Sequence, residues 1–114
     1  MSSFQRGEVY EVQPDPSVGK EIQKTRPCVI VSTNVFNANA GLSVVCPITE
    51  GKNLVADIIH IAVPGGEAGL RKDSIVLCDQ VKAVDQVRLM KKMGNLSADP
   101  MHKIDKGLKA ILGF

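Results

Sequence analysis

A change of hydrophobic period limits most tightly what this chain can fold into. Up to residue 84 the apolar residues come in short runs rich in β-branched side chains: Val9–Val12, 27–33, Ser43–Thr49, Ile58–Val63 and a longer run from Ser74 to Val84. Runs of that length, bounded by Pro, Gly and Asn, read as strands. Lys91–Leu96 reads as one further short strand. Beyond residue 96 the period changes. Met101, Ile104, Leu108, Ile111 and Leu112 fall at offsets 0, 3, 7, 10 and 11, one stripe of an α-helix. The spacing predicts a mainly β domain: a small, largely antiparallel barrel with a C-terminal helix packed on it.

Local punctuation refines this. Pro14 and Pro16 end the first strand, and loop residues follow to about Thr25. Asn34–Gly41 contains three Asn and a Gly, so a turn or a single helical turn is expected there. Pro47 has no N–H to give a ladder, which predicts an edge or a bulge in its strand. Glu50-Gly51-Lys52-Asn53 reads as a turn. Ser97 is the expected helix N-cap, its hydroxyl accepting from a free N–H of the first turn. Asp99 and Pro100 suit that turn, and Gly113 can close the other end. Gly107 should weaken the helix by about 1 kcal/mol relative to Ala.

At 114 residues a single domain, 1–114, with one real core is expected. The net charge of +2 does not by itself indicate nucleic acid. Trp is absent and the other aromatics are few, so base stacking should not dominate any nucleic-acid binding. Cys28, Cys46 and Cys78 lie far apart in apolar runs without CxxC spacing, which argues against a disulfide framework and a zinc site. His60 alternates with Ile59 and Ile61 and should face solvent, and neither it nor His102 has a partner at metal-ligand spacing. No metal or other cofactor is expected. No apolar run approaches the ~20 residues that span a bilayer, and the N-terminus has no apolar signal region, so a cytoplasmic location is expected.

Arg26 stands at the mouth of the run Cys28-Val29-Ile30-Val31, after a loop carrying Pro14, Pro16, Gly19 and Glu21. A guanidinium offers a permanent charge and five donors in a planar fork, suited to a phosphate. A surface arginine paired with Glu21 or Glu50 is the plainer alternative. Arg71 and Asp73 read as turn residues that set strand register.

The landmarks Arg6-Gly7-Glu8-Val9-Tyr10, Gly19-Lys20-Glu21, Arg26-Pro27-Cys28-Val29-Ile30-Val31, Pro47-Ile48-Thr49, Gly69-Leu70-Arg71-Lys72-Asp73-Ser74 and Asp79-Gln80-Val81-Lys82-Ala83-Val84-Asp85, in this order, resemble the MazF/PemK toxins of type II toxin–antitoxin systems. The resemblance spans about residues 6 to 112. It implies an SH3-like plasmid-toxin barrel acting as a homodimer. It also implies a metal-independent endoribonuclease that cuts single-stranded RNA, often mRNA, at short sequence motifs. The 2′-hydroxyl would attack the adjacent phosphodiester, leaving a 2′,3′-cyclic phosphate and a 5′-hydroxyl. A cognate antitoxin would neutralise the enzyme with an extended segment.

By that resemblance Arg26 and Thr49 match the family's catalytic arginine and threonine, and Glu21 its loop glutamate. Arg26 would hold nonbridging oxygens where charge grows in the transition state. Arginine keeps its proton and is a poor general base. Thr49 would position the phosphate or the nucleophile, and Glu21 would act as base or read a base edge. Gly19, Lys20, Lys52, Asp79 and Gln80 are the candidate RNA contacts, the last two expected on the long strand near the groove. The chain departs from some relatives. No histidine lies in residues 13 to 25, and Leu77 stands where an arginine can precede the acid. Two other functions fit the same fold: a non-enzymatic gyrase poison like CcdB, and an inactive SH3-like interaction module. The first uses a terminal Trp-Gly-Ile, whereas this chain ends Leu112-Gly113-Phe114 and has no Trp.

Overall fold

The computed structural model describes residues 4–13, 25–51 and 55–114. The strands are β1 (Glu8–Val12), β2 (Arg26–Ile30), β3 (Leu42–Glu50), β4 (His60–Val63), β5 (Ser74–Leu77), β6 (Lys82–Asp85) and β7 (Leu89–Asn95). Helix α1 (Asn34–Asn39) lies between β2 and β3, and helix α2 (Ala98–Leu112) closes the chain. Every pairing is antiparallel, in the order β4-β5-β3-β2-β1-β7, with β6 also on β3. This is the mainly β architecture with a terminal helix that the sequence predicts. The sheet is not closed, however: β4 and β7 end the path without pairing to each other.

Strand β3 organises the sheet. One side pairs with β2 over Val45–Pro47; the other pairs with β6 over Leu42–Val45 and with β5 over Ile48–Glu50. Pro47 therefore sits in a central strand, not at an edge. Val44 turns its N–H and C=O toward β2, bonding Ser32 Oγ and the Val31 amide. Alternation then sends the Pro47 nitrogen to the opposite side, at the gap where β6 gives way to β5. A residue without an N–H costs nothing there.

The expected long strand from Ser74 to Val84 is broken by a 3₁₀ turn at Cys78–Gln80, which lets β5 and β6 take up different stretches of β3. Helix α1 is the single helical turn, capped by Thr33, whose hydroxyl accepts from the Phe36 amide. Its Asn37 is fully buried, and Oδ1 accepts from Ser32 and Ser43.

β1, β2, β3 and β5 carry buried residues on both faces, which is why they read as continuous apolar runs. One face, with Val9, Val29, Cys46, Ile48 and Val76, packs with Met101, Ile104 and Leu108 of α2. The other gathers Tyr10, Val12, Cys28, Ile30, Val45, Val84 and Leu89. Burying each such aliphatic side chain contributes about 1.5–3 kcal/mol. The helix stripe runs past the core, leaving Leu112 exposed and Ile111 at the margin. Gly113 closes α2 in the left-handed conformation. Ser97 caps it differently from expectation. Its side chain makes no cap bond; instead its Oγ and N both donate to Glu67 Oε1. Among the described residues no helix is long and apolar enough to cross a membrane.

Candidate active site

Arg26 opens β2 and Thr49 stands near the end of β3. The β2–β3 register runs Ile30↔Val45, Val29↔Cys46, Cys28↔Pro47. The ladder ends there; the same register continued by two residues would face Arg26 with Thr49. Both line one cleft of about 520 Å³, with Glu50, Leu70, Arg71 and Met93 among its other walls. Val12 flanks Arg26 on the β1 side, so the guanidinium sits on a backbone paired on β1 and directed at the end of β3. Arg26 is exposed, and among the described residues it makes no ion pair. The surface pairing with Glu50 is thus not formed. The arrangement places a charge and a hydroxyl on the walls of one cleft.

Behind this wall the Cys28 thiol is raised to about 11. Burial dominates, against the lowering pull of Lys82, Arg88 and Arg26. That thiol stays protonated and is not a nucleophile at neutral pH.

The structure does not bring every candidate residue to the cleft. Asp79 and Gln80 lie on the 3₁₀ turn after β5, not on a strand, and neither lines the cleft that holds Arg26 and Thr49. Asp79 instead faces His60, with Oδ1 3.6 Å from Nε2. His60 Nδ1 in turn lies 3.0 and 3.1 Å from the two oxygens of Asp57. His60 is therefore not a solvent-facing residue without partners; its side chain is 24% exposed and held between two carboxylates. The hydrogen bond that the His60 imidazole donates to Asp57 is the main cause that raises the His60 pKa, and the same bond is the main cause that lowers that of Asp57. His60 and Asp57 line a separate cavity of about 270 Å³ with Lys103 and Lys106 of α2. Alternation along β4 could not reveal this cluster, because Asp57 precedes the strand and Asp79 comes from another element. Glu21, Gly19, Lys20 and Lys52 lie outside the described residues.

Arg71 is the residue that turn reasoning placed elsewhere. Asp73 does set the turn: its side chain accepts from the Gly65 amide at 2.8 Å and its carbonyl from the Gly51 amide at 3.1 Å. Arg71, however, lines the cleft with Arg26 and Thr49. Among the described residues no group of three or more His, Cys, Asp or Glu side chains is placed to hold a metal ion.

Comparison with known proteins fits this geometry. The model of the PemK-like, MazF-like toxins of type II toxin–antitoxin systems matches residues 5–112. Endoribonuclease PemK of Escherichia coli is 36% identical over 112 residues, covering 97% of this chain and 84% of PemK. Endoribonuclease MazF of Staphylococcus epidermidis is 32% identical over 111 residues, covering 97% of this chain and 92% of that protein. The fold matches a chain in the MazE–MazF crystal structure from Deinococcus radiodurans with TM-score 0.81 at 22% identity, covering 96% of both chains. It also matches an endoribonuclease in complex with its cognate antitoxin from mycobacterial species with TM-score 0.78 at 23% identity, covering 98% and 97%. With its β sheet, terminal helix and Arg26–Thr49 cleft, the chain belongs to the PemK-like, MazF-like toxin family of type II toxin–antitoxin systems.

Proposed function

We propose that this protein cuts single-stranded RNA within short sequence motifs, without a metal ion, at the cleft between Arg26 and Thr49. The enzyme class follows from the family: the chain is an endoribonuclease toxin. The observation that supports the site is that Arg26 and Thr49 line one cleft, on strands whose register, continued two residues past Cys28↔Pro47, would bring them opposite each other.

In this reading the 2′-oxygen attacks the adjacent phosphorus and the P–O5′ bond breaks. One proton leaves the 2′-hydroxyl and one reaches the departing 5′-oxygen, so no water is consumed. Arg26 holds the nonbridging oxygens, which gain charge in the transition state, and Thr49 orients the phosphate. Glu21, brought in by the loop before β2, is the candidate base. Gly19, Lys20 and Lys52 are candidate contacts to the RNA strand. Asp79 and Gln80, away from this cleft, would meet a more distant nucleotide. The fork of amide donor and acceptor on Gln80 suits the edge of a splayed base.

The partner is a cognate antitoxin, as the toxin–antitoxin family implies and as relatives are found with theirs. A homodimer in the cytoplasm is the assembly we infer. Val35 and Val87 are largely exposed and Met90 half-exposed, and Gln86 fastens the α1 region to the turn that carries Val87. Apolar surface of that kind is commonly covered.

The test incubates purified protein with a long mixed-sequence RNA in EDTA and maps the new 5′ ends. Discrete cuts with 5′-hydroxyl ends, absent with Arg26→Ala, are expected. Intact RNA beside a well-folded protein would overturn the reading.

A further inference from the structure

The chain has four arginines, and the structure sorts them into two pairs. Arg6 and Arg88 are used by the fold. Arg6 bonds the Val31 carbonyl and pairs with Asp105 of α2, and Arg88 Nε donates to the Gln13 carbonyl at 2.8 Å. Arg26 and Arg71 make no ion pair among the described residues, and both line the same cleft. They come from different elements: Arg26 from the start of β2, Arg71 from the loop before β5.

The loop that carries Arg71 is fixed at many points. The Gly66 amide donates to the Leu70 carbonyl, and that of Leu70 to the Glu67 carbonyl. Asp73 ties the loop to Gly65 and Gly51, and Ser74 Oγ donates to the Lys72 carbonyl. Glu67 anchors it to Ser97 at the start of α2. Gly69, at φ +77°, presses on β7 so closely that a Cβ there would meet the Met93 carbonyl oxygen at 2.4 Å. A cation mounted on so constrained a backbone loses little freedom when it takes an anion. Lys72 lies 3.9 Å from Glu50, which also lines the cleft, so the cleft's acid already has a cation and Arg71 is left for a ligand.

We infer that Arg71 is a second phosphate-binding residue, taking the backbone phosphate next to the one held by Arg26. This rests on the ribonuclease reading. A single-stranded ligand that lays one phosphate on Arg26 must carry its neighbours along the cleft, and among the described residues Arg71 is the one other cation lining it without an acidic partner.

The experiment uses a short oligonucleotide containing the cleaved motif, with 2′-O-methyl at the cut so that it binds without reacting. Affinity is measured against salt for the native protein, Arg71→Ala and Arg71→Gln, and again with a neutral methylphosphonate at each flanking position in turn. Arg71→Ala should weaken binding about tenfold or more and flatten the log K against log salt slope by ~0.7, one phosphate contact on a single strand. One flanking methylphosphonate should weaken the native protein by a similar factor and leave both variants unaffected. Unchanged affinity and slope in Arg71→Ala, or equal methylphosphonate sensitivity in native and variant, would overturn the assignment while the cleavage reading stands. Binding with the expected slopes, but no cleavage of the unmodified oligonucleotide, would support it and overturn the cleavage reading instead. No binding by the native protein would overturn both.

Discussion

Gly107 of α2 meets the turn after β5 so closely that a Cβ on it would lie 3.0 Å from Cys78 Sγ and 2.8 Å from the Ile58 carbonyl oxygen. Helix propensity alone says that Gly107→Ala should stabilise by about 1 kcal/mol. Packing says the opposite, because one of the two atoms met is backbone and overpacking costs about 1–3 kcal/mol. We expect the variant to be destabilised by about 1–2 kcal/mol in urea unfolding. A gain in stability would show that α2 shifts off the sheet at little cost.

The thiols give a second expectation from the same contact. Continuing the Ile48↔Val76 register by two residues sets Cys46 opposite Cys78, and both are fully buried. The interaction between the two thiols raises the pKa of Cys46, to which burial adds, and lowers that of Cys78, whose Sγ donates to the Ile104 carbonyl. Reactivity needs both thiolate character and access, and here access is lacking. An aromatic disulfide reagent should react slowly with the native protein and with all three thiols after denaturation. Gly107→Ala, by loosening α2, should speed the reaction at Cys78. Rapid native labelling would contradict the packing of α2.

The strands and the terminal helix were legible because each carries its own period, and Arg26 and Thr49, singled out by their places in an ordered set of landmarks, line one cleft. Other features depend on which strands meet. Pro47 is harmless in a central strand only because β3 changes partners there. The break at Cys78–Gln80 follows from the same exchange, and no local breaker marks it. Ser97 looked like an ordinary cap because its competitor, Glu67, lies thirty residues away. Arg71 reads as a turn residue from its neighbours, and only the folded loop shows that it shares a cleft with Arg26.

The Asp57–His60 pair makes stability depend on pH in a definite direction. Its folded state raises the His60 pKa above 6.5, so its stabilisation is fully present below pH 6.5 and lost as pH rises through the raised value. Asp57 is lowered from 3.8, so on the acid side the contribution disappears as pH falls below 3.8 through the lowered value. Asp79 strengthens the first effect, while burial opposes it. Melting curves of the native protein and His60→Gln should differ most between these limits and converge at alkaline pH. A difference that grows above pH 7 would refute the pairing.

Arg26 separates charge from geometry. Its side chain is exposed and among the described residues supports no ion pair, so substitution there should leave the melting temperature within a degree or two. Arg26→Ala should lower the cleavage rate by about 10²–10³, the usual effect of losing one donor to a developing oxyanion. Arg26→Lys keeps the charge but not the planar fork, so it should recover binding more than turnover. Thr49→Val keeps the shape of Thr49 and removes its hydroxyl, and single-turnover rates on one oligonucleotide should fall without loss of fold. If Arg26→Lys cuts as fast as the native protein, the guanidinium serves only as a point charge, and the two-point hold on the phosphate across β2 and β3 is wrong.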